Sequence, residues 1–241
     1  MKVLKKIIRR QQDIYNTQIP VIAFIGDSVT QGCFECEAVG ENSLTTVFDS
    51  KSGYVKRFEE IMSLLYPCVQ IDYVNAGMNG ADTSTGLNNL EQNVLSHRPD
   101  LVVVSFGLND SVKGEEGIEQ YKKNLGEMFD KILSIGSEAI FLTQNYMCDH
   151  TSHTLKDKLF IDLSKDFAKI QNDGLLDKYF EEAIKECDER NIKVCDVRKT
   201  WKLMKDNHVD TTELLANKLN HPVRELHYYM AIKLLEKMFE D

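Results

Sequence analysis

The feature of this sequence that most constrains its fold is an alternation of short apolar segments with longer segments of helical periodicity. Residues 21–25, Val-Ile-Ala-Phe-Ile, are continuously apolar, which is typical of a strand buried on both faces of a parallel sheet. Further strands are predicted at 69–74, 101–106, 138–143 and 192–197. Helices are predicted at 54–65, 83–95 and 118–135, with one or two more within 155–190.

Strands that alternate with helices imply right-handed crossovers and a parallel sheet with helices on both faces. The predicted fold is therefore an α/β, three-layer α/β/α sandwich, flavodoxin-like, around a parallel sheet of about five strands. The length of 241 residues, without repeats or a linker, favours a single domain over residues 1–241. Residues 1–18 are predicted to form a leading amphipathic helix. A membrane-surface helix has a similar pattern, but this one runs directly into the first strand, which favours packing on the domain.

The charge balance narrows the class of partner. The chain carries 29 Lys and Arg against 38 Asp and Glu, a formal net charge of −9. An acidic surface repels phosphate backbones and anionic membranes, so neither nucleic acid nor a membrane is an expected partner. Small neutral or weakly charged substrates fit better, and the oligomeric state stays open.

Lysines and arginines within residues 2–10 interrupt the apolar residues before the core of a signal peptide can form. No later segment approaches the roughly 18 uninterrupted apolar residues of a membrane span. A cytoplasmic location is therefore predicted. In a reducing compartment most of the six cysteines are expected to be buried thiols.

Two pairs of potential metal ligands stand out. Cys33 and Cys36 form a CxxC pair, and His150 and His153 form an HxxH pair, which together could supply four ligands to zinc. The pairs lie more than a hundred residues apart, and neither has a confirming context. Free thiols and loop histidines are the favoured interpretation, and no cofactor is expected.

Polar segments follow four of the predicted strands, at the edge where parallel α/β sheets place their sites. They are residues 26–28, 75–80, 107–110 and 144–153. The first three are rich in Gly, Asn, Asp and Ser, which form tight turns and hydrogen bonds. Any one of them alone would be interpreted as a turn, but three at the same end of one sheet favour a functional site.

Ser28 lies where the first strand turns, so its hydroxyl is expected at the rim of the sheet. Serine is a poor nucleophile unless a base takes its proton. Among the six histidines, His221 is the best placed, because it precedes Pro222, which is predicted to open the last helix. The others lie at the wrong edge of the sheet, in polar segments or, for His227, within the body of that helix.

When a serine activated in this way attacks a carbonyl group, donors directed at the oxyanion of the tetrahedral intermediate are also required. The backbone N–H of Gly80 can approach a substrate closely because glycine has no side chain. The side-chain amide of Asn109 and the N–H of Ser28 would complete the set.

These segments and their flanks resemble the four signature blocks of the GDSL, or SGNH, hydrolase family. The blocks stand in family order as FIGDSVTQG at 24–32, NAGMNG at 75–80, GLND at 107–110 and NHP at 220–222. The resemblance implies a three-layer α/β/α fold and a metal-independent Ser-His hydrolase of carboxylic esters or thioesters. It assigns the four roles in the family's name to Ser28, Gly80, Asn109 and His221, with Asp27 shaping the turn.

The sequence departs from the family at the Asp-x-x-His block, where the aspartate orients the histidine. Lys218 occupies the position three residues before His221, and Asn217 precedes it. Asp210 is a nearby acidic alternative, but with Glu213 it has the spacing of a helix capping box. The possible orienting residues are therefore Asn217 and Asp210, with a backbone carbonyl as another neutral partner, and the chemistry is predicted to rest on a Ser-His dyad.

Two segments beside the predicted site bear on the substrate. Residues 33–52 are long for a βα connection and are predicted to form a loop that acts as a substrate lid. The polar segment 144–153 is predicted as the opposite wall, which favours a carbohydrate-like acyl acceptor. An esterase for a small acetyl ester is the leading hypothesis. An acyl-thioesterase or lipase-like acylhydrolase is the alternative, and a non-catalytic binding protein comes third.

Overall fold

The computed structural model describes residues 1–40 and 43–240. Its main sheet consists of β1 (Val21–Gly26), β4 (Asp72–Gly77), β5 (Leu101–Ser105), β6 (Glu138–Leu142) and β7 (Lys193–Cys195). These strands are parallel and lie in the order β4-β1-β5-β6-β7. Counted along the chain, this is the order 2-1-3-4-5 of flavodoxin-like folds, so the predicted fold class is confirmed.

Helices cover both faces of this sheet. They are α1 (Lys2–Gln12), α2 (Ser28–Gln31), α3 (Tyr54–Leu65), α4 (Thr83–Asn93), α5 (Leu108–Ser111), α6 (Ile118–Ser134), α7 (Lys158–Asn172), α8 (Leu175–Glu189), α9 (Arg198–Asp206) and α10 (Arg224–Phe239). The segment 155–190 thus forms two helices, whereas α9 was not predicted.

Side-chain alternation along the strands assigns the helices to layers. Phe24 of β1 packs edge-on against Phe58 of α3, and α10 packs beside α3. Phe24 is level with Val103, and Val103 with Ile140, so the next residue, Phe141, points to the opposite face. There it meets Phe129 of α6, which packs between α4 and α8.

Two predicted elements at the start of the sheet are displaced. The strand predicted at 69–74 begins at Asp72, whose N–H donates to the Pro20 carbonyl and starts the pairing with β1. The apolar residues before it pack against the core without joining the sheet. The leading helix ends at Gln12 rather than near residue 18, and it buries Val3 and Ile7.

The segment 33–52 is not the predicted loop. It forms an antiparallel hairpin of β2 (Cys33–Ala38) and β3 (Leu44–Phe48), and residues 41–42 of the predicted lid lie outside the described part. Cys33 pairs with Phe48 and Cys36 with Thr46, so two residues of β2 lie opposite one residue of β3. This is a β-bulge, which leaves part of the β2 backbone unpaired.

None of the helices in residues 1–40 and 43–240 is long and apolar enough to cross a membrane.

Candidate active site

The candidate site lies at the carboxyl ends of β1, β4 and β5, the three adjacent strands at one side of the sheet. Ser28 is the first residue of α2, directly after β1, and Asp27 caps this helix by accepting the Val29 N–H at 2.9 Å. The first N–H groups of a helix have no partner within the helix. The Ser28 N–H therefore points out of α2 at the edge of the sheet.

Ser28 and His221 are in direct contact. His221 Nε2 lies 2.9 Å from Ser28 Oγ, and His221 Nδ1 lies 2.8 Å from the carbonyl oxygen of Phe34. A carbonyl oxygen can only accept, so Nδ1 carries the ring proton and Nε2 is free to accept the Ser28 hydroxyl. Burial, partly offset by the bond to Phe34, lowers the pKa of His221 below its usual 6.5. The neutral imidazole is thus the favoured form at neutral pH.

Neither possible orienting residue reaches the ring of His221. The Asn217 side-chain oxygen accepts the N–H groups of Leu219, Asn220 and His221, each at 3.0 Å. Asn217 therefore shapes the turn that carries His221, and its side chain does not contact the imidazole.

Asp210 is exposed and lies 3.6 Å from His150. It accepts the Glu213 N–H at 3.3 Å, but the Glu213 carboxylate bonds to Ser152 and Lys218 instead of returning to residue 210. Only half of the predicted capping box is formed.

The helix opened by this block also starts later than predicted. Pro222 forms an isolated bridge with Leu215, and α10 begins at Arg224.

The four residues predicted to form the site line one cleft. It is open to solvent and is lined by Ser28, Gly80, Asn109 and His221 among others. Gly80 has a φ of +75°, a backbone conformation that side chains rarely adopt, and a Cβ at this position would face open space. The Asn109 amide donates one hydrogen to the Ala81 carbonyl at 2.8 Å, which fixes the amide beside Gly80.

A buried network connects the turns that carry Ser28 and Asn109. Gln144 donates to Asp27 at 2.8 Å and accepts the Leu108 N–H at 3.0 Å. Burial raises the pKa of Asp27 to about 7, although the hydrogen bonds from Gln144 and from the Val29 N–H favour its charged form. Asp110 similarly accepts the N–H and hydroxyl of Thr83, and burial raises its pKa to about 6. These groups hold the turns in register.

Of the two segments predicted to flank the site, 33–52 lines the cleft and 144–153 does not. The cleft is lined by Leu44 and Thr46 of the hairpin, by Leu163 and Phe167 of α7, and by Leu219. Residues 144–148 are buried beneath the site, with Asn145 donating to the Asn220 carbonyl. The hairpin and α7 therefore supply the walls.

The two pairs of potential zinc ligands do not form a common group within the described residues. Across the described residues, the only group of three or more potential ligands is Asp149, His150 and Asp210, with neither Cys33 nor His153 in it. Lys205 also lies 3.1 Å from Asp149, so its cation occupies the acidic side of this group. All six cysteines are free thiols.

The site can now be compared with known proteins. The sequence pattern of the GDSL-like Lipase/Acylhydrolase family matches residues 24–227, which include all four cleft residues. The chain belongs to this family. The predicted family is thereby confirmed.

Among relatives, an acetylxylan esterase of Geobacillus stearothermophilus is 32% identical over 89 residues, 37% of this chain and 39% of that protein. An arylesterase of Vibrio mimicus is 26% identical over 117 residues, 46% of this chain and 58% of that protein. The matches thus span well under two thirds of either relative.

Solved structures resemble the whole fold. The acetylxylan esterase of Geobacillus stearothermophilus superposes with a TM-score of 0.67 at 20% identity, covering 92% of this chain and 95% of that one. A two-domain esterase active on acetylated mannans has a TM-score of 0.67 at 18% identity, covering 99% of this chain and 54% of that one. At these identities the likeness establishes the fold.

Sequence reasoning missed the Phe34 carbonyl and Gln144. Every residue has a carbonyl, so no residue type could mark Phe34 as the partner of His221. Gln144 directly follows the predicted fourth strand, so its position offered a signal, but only the packing shows that it bridges two turns.

Proposed function

We propose that the protein hydrolyses carboxylic esters, with Ser28 as nucleophile and His221 as general base. The observation that carries this proposal is the 2.9 Å contact between His221 Nε2 and Ser28 Oγ in the cleft that Gly80 and Asn109 also line. A nucleophile within hydrogen-bond reach of an oriented base is the arrangement that acyl transfer requires.

The first half of the reaction forms an acyl-enzyme. His221 Nε2 takes the Ser28 proton as Oγ attacks the ester carbonyl carbon. The resulting oxyanion faces the N–H groups of Ser28 and Gly80 and the amide of Asn109. The intermediate collapses when the alkoxide leaves with the proton from His221. Water then attacks the acyl-Ser28 ester in the same way, releasing the acid and restoring the hydroxyl.

In this mechanism the Phe34 carbonyl orients His221 in place of the missing carboxylate. It fixes the tautomer of His221 through Nδ1, but it supplies no full negative charge to the imidazolium formed during attack. A Ser-His dyad assisted by a backbone carbonyl therefore replaces the triad.

The proposed substrate is a short-chain or acetyl ester of a carbohydrate-like molecule. Asn79, Asn220 and Thr46 line the cleft, as does Asn217, whose amide is already bonded within its own turn. Such groups hydrogen-bond hydroxylated alcohols, and two of the similar proteins act on acetylated polysaccharides by their names. An acyl-thioesterase or lipase-like activity is the second candidate, favoured by apolar side chains such as Leu44, Leu163 and Phe167 in the same lining.

A chain-length series separates these candidates. The purified protein should hydrolyse short p-nitrophenyl esters and acetylated xylose or mannose oligosaccharides, with kcat/KM falling as the acyl chain lengthens. Ser28→Ala should abolish turnover, and a fluorophosphonate reagent should label Ser28 in the wild type. A kcat/KM that rises with acyl length would favour the lipase-like candidate. Undiminished hydrolysis by Ser28→Ala would contradict the mechanism.

A further inference from the structure

The bond between His221 and the Phe34 carbonyl joins two distant parts of the chain. Phe34 lies in the bulge of β2, where Phe34 and Glu35 are opposite a single residue of β3. A bulge frees backbone groups from the ladder and turns them in a new direction. The Phe34 carbonyl is thus available to His221, but the strand pairing alone does not fix its position.

Arg224 fixes this bulge from the other side. Its guanidinium makes a two-pronged ion pair with the Glu35 carboxylate at 2.6 and 3.0 Å, and its Nε donates to Asp49 at 2.9 Å. The guanidinium carbon also lies 4.3 Å from the centre of the Phe34 ring. Planar arginine is suited to combine a carboxylate fork with stacking on an aromatic face.

A second side chain of the same helix completes the enclosure. His227, three residues after Arg224, packs against the Phe34 ring with a centroid distance of 4.7 Å. It is fully buried and accepts the Tyr54 N–H at 3.1 Å, so its own position is fixed. The ring of Phe34 is therefore held by two residues of α10.

Arg224 is also three residues from His221, at the point where the turn that carries this histidine enters α10. One residue therefore ties the segment bearing the base to the segment bearing its hydrogen-bond acceptor. We propose that Arg224, with Glu35 and Asp49, is a positioning residue that fixes the Phe34 carbonyl against His221. The carbonyl thereby takes the place of the family's aspartate. This inference rests on the proposed function.

The pH dependence of the site supplies a readout that a merely structural role would not move. The ionisable groups around His221 are the Cys36 thiol in the cleft, Glu35 on β2, and Arg224 and His227 on α10. The Glu35 charge raises the pKa of His221, and Arg224 partly neutralises that charge. Removing Glu35 should therefore lower the pKa of His221. Removing Arg224 would raise this pKa if only the Glu35 charge were freed, but displacement of the Phe34 carbonyl removes a hydrogen bond that raises the pKa more than Glu35 does, so the positioning role predicts a lower pKa.

The experiment compares Arg224→Met, Glu35→Gln and the control Arg190→Met. Arg190 makes a similar fork with Asp130, at 2.8 and 3.3 Å, between α8 and α6. The rate of fluorophosphonate labelling of Ser28 is measured against pH, because it reports activation of the serine independently of alcohol binding. Thermal unfolding of each variant is followed by circular dichroism.

Arg224→Met should slow labelling on the order of 10- to 100-fold, because displacing a catalytic group by up to about 1 Å can cost a factor of this size. The acid limbs of Arg224→Met and Glu35→Gln should both move to lower pH, and Arg190→Met should match the wild type in labelling rate and acid limb. In protein labelled with ¹⁵N-histidine, the Nδ1 proton of His221 should exchange with water faster in Arg224→Met than in the wild type or in Arg190→Met.

Unchanged labelling in Arg224→Met, or an acid limb that moves to higher pH in this variant, would overturn the positioning role while leaving the Ser-His mechanism intact. Failure of the wild type to label at Ser28 would overturn both. If Arg224→Met does not fold, the labelling rate of Glu35→Gln above its acid limb decides the question, because its amide keeps only one of the two hydrogen bonds from Arg224. Slower labelling supports the positioning role, and a wild-type rate overturns it.

Discussion

Replacement of Asn109 by alanine tests the oxyanion site most directly. Asn109 lies in the short helix α5, which Asp110 ties to the start of α4 through Thr83. One amide hydrogen is donated to the Ala81 carbonyl at 2.8 Å, so the second hydrogen is held in a fixed direction within the cleft. A donor fixed before the reaction needs no reorganisation when negative charge develops.

The expected loss follows from this preorganisation. Removing one fixed oxyanion donor costs about 2.7–4 kcal/mol of transition-state stabilisation, or 10²–10³ in kcat. KM should change little, because the neutral ester carbonyl draws less on the donor than the oxyanion does. The lost bond to Ala81 should reduce the free energy of unfolding by only about 0.5–1.5 kcal/mol.

Steady-state hydrolysis of a short p-nitrophenyl ester gives kcat and KM separately, and urea unfolding gives the stability. Asn79→Ala is the matched control, because Asn79 lines the same cleft but its amide donates to Thr46 at 3.3 Å. Its kcat should stay within about tenfold of the wild type, a barrier change under about 1.4 kcal/mol. A change in Asn109→Ala confined to KM would show that Asn109 binds substrate without serving the transition state.

Three further predictions concern His221 and its turn. His221→Ala should abolish ester turnover. Asp210→Asn should change kcat less than about tenfold, because Asp210 is exposed and pairs with His150 rather than with His221. Loss of nearly all activity in folded Asp210→Asn would refute the dyad. Asn217→Ala should lower the free energy of unfolding in urea by about 1.5–4.5 kcal/mol, from three hydrogen bonds of about 0.5–1.5 kcal/mol each, and Asn217→Asp should recover most of it; equal losses in both variants would contradict this account. Finally, kcat/KM should fall on the acid side with a midpoint below pH 6.5, because burial lowers the pKa of His221 and only its unprotonated form accepts the Ser28 proton. A midpoint above 6.5 would show that a negative charge outweighs burial.

Strand order and strand ends were enough to place three of the four cleft residues, and His221 was placed by the proline that follows it. Ser28, Gly80 and Asn109 follow β1, β4 and β5, and parallel strands bring these ends to one edge whatever the exact boundaries are. The strand β4 is shifted by three residues from its predicted position, yet Gly80 still lies in the turn that follows it. Strand boundaries and helix starts, as at Pro222, depend on pairing partners that the local pattern does not contain.

The walls of the cleft could not be predicted in the same way. The hairpin of β2 and β3 owes its form to pairing between its own strands, and its alternation of polar and apolar residues is too weak to predict a strand. The segment 144–153 is polar because Gln144 and Asn145 satisfy buried backbone and side-chain groups. A polar composition is the same whether a segment faces a substrate or fills hydrogen bonds in the interior, and only packing distinguishes the two.

The sequence by itself determined the layered α/β architecture, the edge of the sheet that carries the site, and the side chains gathered there, because apolar periodicity and side-chain chemistry are local properties. Only the tertiary structure decided what orients His221. That partner is a backbone carbonyl, which every residue has, and its selection depends on a bulge in β2 and on the ion pair between Glu35 and Arg224, 189 residues apart in the chain. Contacts over such separations exist only once the chain has folded.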